Sequence, residues 1–164
     1  MDAFHAQQMQ RAAACVSAQL RDEPAELDVL LTDFDNPSQA ADAFFLFADA
    51  CVTAVSTLTS RNADDVARAL TDTGGRAGAE DPRLLAMGAR LVRALVDDSK
   101  EQRDAAAAEF LDAGEALNAG FTVALVAVRH LGEQTERDPQ DWASTFAINA
   151  ARIGADAEAD AEPS

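Results

Sequence analysis

Residues 36–58 read NPSQAADAFFLFADACVTAVSTL, and this stretch decides the fold class. It opens with Asn36 before Pro37 and carries Gln39 at the third helical position, the pattern of a capped helix with proline in its first turn. Its apolar side chains then recur at spacings of three and four, with acidic and polar residues on the opposite side. These apolar positions are Phe44, Phe47, Ala48, Cys51, Val55 and Leu58. The stretch therefore predicts a long amphipathic helix.

The same helix start recurs along the chain. Glu23-Pro24, Asp81-Pro82 and Asp138-Pro139 each place proline directly after an acidic residue. The residues that follow these prolines keep helical periodicity and show no strand alternation. The sequence therefore predicts an all-α, single-domain bundle of six or seven helices, since 164 residues is an ordinary length for one domain.

The expected boundaries follow from caps, glycines and apolar spacing. Gly74 and Gly75 are expected to end the fourth helix and to open a mobile loop over residues 73–80. Residues 154–164 alternate alanine with acids, which predicts a disordered acidic tail after a helical domain of residues 1–153. The expected helices are 2–20, 24–34, 37–58, a short helix from 62, a helix from 82, 101–135 and 139–153.

One long central helix is expected over residues 101–135. Its apolar side chains keep alternating spacings of four and three straight through Asn118-Ala119-Gly120, so one helix is preferred over two. These positions are Phe110, Gly114, Leu117, Phe121, Ala124, Val128 and Leu131.

The later part of this long helix is apolar almost all round. Val123 and Val126 lie on the side away from Phe121. Such a segment is either central in the fold or shared with another copy of the chain. We therefore predict a homodimer whose interface includes Phe121, Val123, Val126 and His130.

Charge limits the partners. The chain has 29 acidic and 13 basic residues, a net charge of -16. Duplex DNA and anionic membranes are bound through clustered Lys and Arg, so neither nucleic acid nor membrane is an expected partner. The N-terminus lacks the cationic flank of a signal peptide, and the longest uncharged run, residues 116–128, is too short to span a bilayer. We expect a cytoplasmic protein.

Alanine dominates the composition. It supplies 38 residues, and it is the best helix former but buries little apolar surface. The core is therefore expected to come from 15 Leu, 10 Val and 8 Phe.

The sequence gives little indication of metal binding or of thiol chemistry. The chain has two histidines and no Glu-x-x-His motif, so no metal or cofactor is expected. Cys15 and Cys51 fall on or beside apolar helix faces, which predicts buried free thiols in place of a nucleophile or a disulfide.

Residues 29–36, an apolar run followed by Asp33-Phe34-Asp35, resemble the strand and Asp-x-Asp motif that opens haloacid-dehalogenase-type phosphotransferases. The resemblance implies a nucleophilic Asp33, and magnesium held by Asp33 and Asp35, on an α/β sheet. That family has a lysine and then a second acidic pair, whereas Asp97-Asp98 precedes Lys100 here and no other strand pattern exists. A short helix ending in an acidic turn is therefore preferred.

Without a convergent catalytic set, we predict a non-enzymatic helical protein that acts by protein association, as a homodimer. The alternative is a small-molecule-binding or sensor bundle with an apolar pocket. A metal-dependent enzyme using Asp and Glu ranks third, and a DNA-binding regulator ranks fourth because no basic recognition helix is found. The pocket of the alternative would be lined by Phe44, Phe45, Phe47 and Trp142.

Overall fold

The computed structural model describes the backbone of residues 2–76 and 81–161, and the side chains of residues 2–71 and 81–160. Within these residues the chain is all-α, with eight helices and no strand, which confirms the predicted fold class. The helices are α1 (Ala3–Leu20), α2 (Pro24–Leu31), α3 (Pro37–Thr59), α4 (Ala63–Arg76), α5 (Pro82–Val96), α6 (Lys100–Ala107), α7 (Ala113–Thr135) and α8 (Pro139–Ala161).

The helix starts lie where the local caps place them. The Asn36 side chain accepts a hydrogen bond from the Gln39 backbone N–H at 2.8 Å. The Asp81 carboxylate accepts from two backbone N–H groups of the first turn of α5, at 3.0 and 3.2 Å. Asp2 caps α1 in the same way, at 2.8 Å. Each cap satisfies a backbone donor that would otherwise have no partner at the helix end.

The prediction of one helix over residues 101–135 is wrong. The chain leaves helical geometry between α6 and α7, and Asp112 caps α7 by accepting from the Glu115 N–H at 2.8 Å. Ser99 caps α6 in the same way through Gln102, at 3.2 Å. The extra break gives eight helices in the described ranges where six or seven were expected. α7 does run unbroken through residues 118–120, as its spacing predicts.

Two helices are longer than predicted. α4 continues through Gly74 and Gly75 to Arg76, and the remainder of the predicted loop lies outside the described residues. α8 continues to Ala161, so residues 154–161, predicted to be a disordered acidic tail, are helical. Alanine at alternate positions favours the helix, and Gly154 lies against α1, where a Cβ would sit 3.4 Å from the Ala6 Cβ.

α3 and α7 form the central pair, and α1 packs along α8. α7 also contacts α1, α4, α5 and α8, so it is enclosed by its own chain. Glycine allows two of these approaches: a Cβ on Gly88 of α5 would sit 2.9 Å from the Ala119 carbonyl oxygen, and one on Gly120 would sit 3.2 Å from the Ala41 carbonyl oxygen. Alanine at Gly88 would force a shift of the two helices, and alanine at Gly120 would make an unusually tight contact.

The core contains many alanines in addition to the large side chains that were expected there. Nearly half of the buried apolar residues in the described ranges are alanine. These residues bury little surface each, but they let the helix backbones approach closely. The largest fully buried side chains are Phe44, Phe47, Leu70, Leu85 and Leu131.

Among the described helices, α3 alone is long and apolar enough to cross a membrane by length and composition. Half of that stretch is buried inside the bundle, where α3 packs on α7. A core helix meets the same criteria, so this feature is weak evidence for a membrane span.

Candidate ligand-binding cleft

A cleft of about 380 Å³ opens between α1, α3, α5 and α6. We call it the α1–α3 cleft, because those two helices supply most of its lining. Its volume falls within the range of small-molecule sites, which begins at about 300 Å³. Its apolar lining includes Phe4, Phe45, Leu46, Leu91 and Leu95, and its polar lining includes Gln8, Asp42, Asp49 and Arg103.

The apolar wall combines fixed and exposed side chains. Phe45 is buried and packs against Phe110, with ring centroids 6.1 Å apart. Phe4 is 54% exposed, at the opening of the cleft. An aromatic ring fixed on one side and an exposed ring on the other provide apolar contact area on two sides of a bound molecule.

Gln8 is the least satisfied polar group of the cleft. Its side chain is 4% exposed, and neither Nε2 nor Oε1 has a hydrogen-bond partner in the described part of the chain. A buried amide without partners costs about 1–3 kcal/mol, so such groups are rare in folded proteins. Because Gln8 lines the cleft, a molecule bound there can supply the missing partners.

Two carboxylates from α3 face the same cleft, seven residues apart and therefore on one side of the helix. Neither Asp42 nor Asp49 forms a hydrogen bond or ion pair with a described residue. Burial raises the pKa of both carboxyl groups, and no neighbouring cation offsets this rise. Asp49 is half-buried and Asp42 is exposed, so Asp49 is the more constrained of the two.

Two other ionisable groups line the cleft. Arg103 of α6 is half-buried and forms no ion pair with a described residue, so it does not neutralise the two aspartates. His5 is held at the N-terminus of α1, where its Nδ1 lies 2.8 Å from the Asp2 Oδ1. The backbone and ring hydrogen bonds from His5 lower the pKa of the exposed Asp2 carboxyl.

A second groove, of about 310 Å³, lies between α4 and α5 and contains Arg68, Arg90 and Arg93. Here each arginine has a carboxylate partner. Arg68 and Arg93 each lie 3.0 Å from Asp64, and Arg90 lies 2.8 Å from Glu109. These guanidinium groups already have carboxylate partners, which distinguishes the groove from the α1–α3 cleft.

Of the four aromatic residues predicted to line an apolar pocket, Phe45 alone lines the α1–α3 cleft. Phe44 is fully buried and packs between Phe34 and Phe121, with ring centroids 6.0 and 5.1 Å away. Phe47 is also fully buried and packs on Phe146 at 5.5 Å. These rings fill the core, as aromatic residues at helical spacing on a central helix generally do.

Trp142 lies elsewhere, at the corner between α7 and α8. Its indole Nε1 donates to the Thr135 Oγ1 at 2.8 Å. The Arg137 guanidinium lies 4.3 Å above its ring, in cation–π geometry. Trp142 therefore holds a helix junction and is not part of the cleft.

The residues predicted to form a dimer interface are mostly enclosed by the chain itself. Val123 is 0% exposed, and Val126 and His130 are also buried. Phe121 is half-buried and contacts Phe44. α7 is apolar almost all round because it lies centrally among the other helices. A central position was one of the two explanations that its sequence pattern allowed. In this conformation the two valines and His130 present no surface to a second copy.

The thiols and acidic groups have no catalytic arrangement among the described residues. Cys15 and Cys51 are buried free thiols, as predicted. Burial raises the pKa of Cys15 to about 12 and that of Cys51 well above its ordinary value. The described residues contain no group of three or more His, Cys, Asp or Glu side chains placed to hold a metal ion.

The Asp-x-Asp resemblance also finds no structural support in this region. The segment before Asp33 is helix α2, which ends at Leu31, and Asp33 and Asp35 lie in the turn that follows. The expected short helix with an acidic turn is therefore confirmed.

Comparison of the chain with protein-family models, with curated proteins and with solved structures gave no match.

Sequence reasoning missed the polar half of the cleft. Asp42 and Asp49 stand on the solvent side of the α3 stripe, where acidic residues ordinarily face water. Their seven-residue spacing was the available signal, since it places both on one helix face. Gln8 gave no comparable signal, because its burial depends on how α1 packs against α3.

Proposed function

We propose that this chain is a non-enzymatic binding protein that holds a small organic molecule in the α1–α3 cleft. The observation that supports the proposal best is the buried, unpartnered amide of Gln8 in the cleft wall. A folded protein gains stability by removing such a group, so its presence is explained if a ligand completes its hydrogen bonds.

The apolar lining and the volume agree with this function. Small-molecule sites combine mostly apolar walls with a few placed polar groups. The cleft has this composition: Phe45, Leu46 and Leu91 supply apolar wall, while Gln8 and Asp49 supply polar contacts. Association of two copies through α7 stays a prediction, but the burial of Val123 and Val126 removes the reason for which it was made.

The test is a ligand-observed NMR screen of a fragment library that contains neutral, cationic and anionic members. Leu46→Trp places a larger side chain in the cleft, and Leu58→Trp is the matched control because Leu58 is 57% exposed on the same helix and outside the cleft. We expect fragments that bind the wild type and Leu58→Trp but not Leu46→Trp. Circular dichroism would show whether each variant folds.

Ala107→Trp provides a second way to fill the cleft if Leu46→Trp fails to fold. Ala107 is exposed on α6 and lines the cleft, so its enlargement disturbs little of the core. A screen without binders, or binders that remain unaffected by a folded variant with a filled cleft, would show that this cleft is not a binding site.

A further inference from the structure

We infer that the ligand of the α1–α3 cleft is an organic cation, a protonated amine carried on an apolar body. This inference rests on the proposed binding function and specifies its ligand class. Three features of the cleft support it: a buried amide without a partner among the described residues, apolar walls, and two carboxylates that lack described partners and are spaced too far apart for one metal ion.

The charges of the cleft are unbalanced. Asp42 and Asp49 lack an ion pair with any described residue, and Arg103, the one arginine in the lining, pairs with neither. His5 is engaged with Asp2 at 2.8 Å. Among the described residues, the lining therefore holds two carboxylates and one guanidinium group. A half-buried carboxylate such as that of Asp49 is unfavourable without a cation, and a bound ammonium group would compensate it.

The pKa shifts point the same way. Burial is the cause of the raised pKa of Asp42 and Asp49, and no cation among the described residues lowers either pKa. By contrast, Arg93 and Arg68 lower the pKa of Asp64 in the second groove. The carboxylates of the cleft therefore lack the partner that the comparable carboxylate of the second groove already has.

A bare metal ion does not fit this arrangement. Seven residues of helix separate the attachment points of Asp42 and Asp49 by about 10 Å along the α3 axis. Two carboxylates so placed do not converge on one small ion, which needs ligands at about 2–2.6 Å. The described residues also hold no cluster of three metal-ligating side chains.

An amine with an apolar body uses the remaining features. The ammonium group donates to an aspartate and to the Gln8 Oε1, which lacks a donor in the structure. The apolar body then packs against Phe45 and Leu91. The net charge of -16 adds a general attraction for cations, which raises the rate of their encounter with the protein at low salt.

The test compares three molecules that share one apolar body: naphthylmethylamine as the cation, naphthylmethanol as the neutral isostere, and naphthoate as the anion. Isothermal titration calorimetry at neutral pH and low salt would give each dissociation constant. We expect the amine to bind at least about tenfold more tightly than the alcohol, which corresponds to one charge-assisted hydrogen bond, and naphthoate to bind most weakly.

Variants locate the source of the preference. Asp49→Asn should weaken the amine about tenfold and leave the alcohol unchanged, since it removes a charge and keeps the shape. Asp28→Asn is the matched control, because it removes the same charge from an exposed position on α2 outside the cleft. It should leave amine affinity unchanged within about twofold, because a solvent-exposed charge outside the cleft interacts only weakly with a ligand inside it.

The outcomes separate the ligand class from the binding function. If the alcohol binds as tightly as the amine and Leu46→Trp abolishes both, the cleft is a binding site and the cation inference is overturned. Tightest binding by naphthoate would also overturn it and would indicate Arg103 as the recognising group. If the fragment screen yields ligands of the cleft but the amine does not bind, the inference fails and the binding function stands. Failure of the screen itself overturns both.

Discussion

Replacement of Gln8 by leucine should make the protein more stable. Both polar atoms of the Gln8 side chain are buried, and neither has a hydrogen-bond partner among the residues that the structure describes. A buried, unsatisfied polar group costs about 1–3 kcal/mol, and an apolar side chain of similar size does not incur that cost. Gln and Leu have nearly equal helix propensities, so the backbone of α1 contributes little to the difference. We expect Gln8→Leu to raise the free energy of unfolding by about 1–3 kcal/mol.

The expected shift in melting temperature follows from chain length. For a domain of this size each kcal/mol corresponds to about 2–4 °C, so Gln8→Leu should melt about 2–12 °C above the wild type. Thermal melts and urea titrations followed by circular dichroism would measure it, with an unchanged urea m-value. Gln7→Leu is the control, because Gln7 is exposed on the same helix. Its effect should stay within about 0.5 kcal/mol.

The same substitution should weaken ligand binding while it increases stability. Higher stability together with weaker binding is expected when a polar group is kept for function. If the amide had only a structural role, its replacement would make the protein less stable. If Gln8→Leu melts at or below the wild-type temperature, the amide is satisfied in solution. The proposed binding of a small molecule in the α1–α3 cleft would then lose its principal support.

Three further predictions test other features. Burial raises the folded-state pKa of Asp49 above the 3.8 of an unperturbed aspartate, so between pH 3.8 and the raised pKa the folded protein binds more protons than the unfolded chain. Stability therefore falls as the pH rises through this range. Asp49→Asn should therefore melt higher than wild type at neutral pH, by more than the exposed control Asp28→Asn does, and this advantage should disappear below pH 3.8. Asp112→Ala should lower the free energy of unfolding, measured by urea titration, by about 1 kcal/mol because it removes the cap of α7. Asp112→Asn should lower it little, because asparagine caps a helix equally well. Equal losses of stability in the two variants would mean that the cap contributes nothing. Cys15 and Cys51 should resist iodoacetamide in the native protein and react in denaturant, and mass spectrometry showing rapid native labelling would contradict their burial.

Most helix starts could be predicted because a cap is a local interaction. Asn36 and Gln39 bond within one turn, so their sequence spacing contains the required information. Asp112 and Glu115 form the same kind of cap, and the sequence displayed it equally well. The apolar spacing continues through Phe110, however, and this continuity favours one uninterrupted helix over a new helix that begins at Asp112. A five-residue break can preserve that spacing while the backbone leaves the helix.

The site depends on tertiary packing, and the sequence could indicate only parts of it. Phe45 belongs to the α3 apolar segment and lines the α1–α3 cleft, whereas the other three aromatic residues named from the sequence do not. The burial of Gln8 requires α1 to lie beside α3, and no local pattern specifies that arrangement. Val123 and Val126 show the same limit, because all-round apolarity fits both a central helix and a shared one. Contacts from other helices decide between the two.

The alanine-rich core has a consequence for how this protein can evolve. Substitutions that shorten a buried side chain usually destabilise a protein because they leave a cavity. Almost half of the buried apolar residues in the described ranges are alanine, and at these positions such a substitution can remove at most one methyl group. Enlargement is the damaging direction there: at Gly88 even one added carbon meets a carbonyl oxygen at 2.9 Å. Drift along α7 and its neighbours is therefore restricted to small residues, while the rim of the cleft, on exposed turns of α1 and α6, is free to change. A lineage descended from this chain would keep its helix spacing while the residues at the rim of the cleft change.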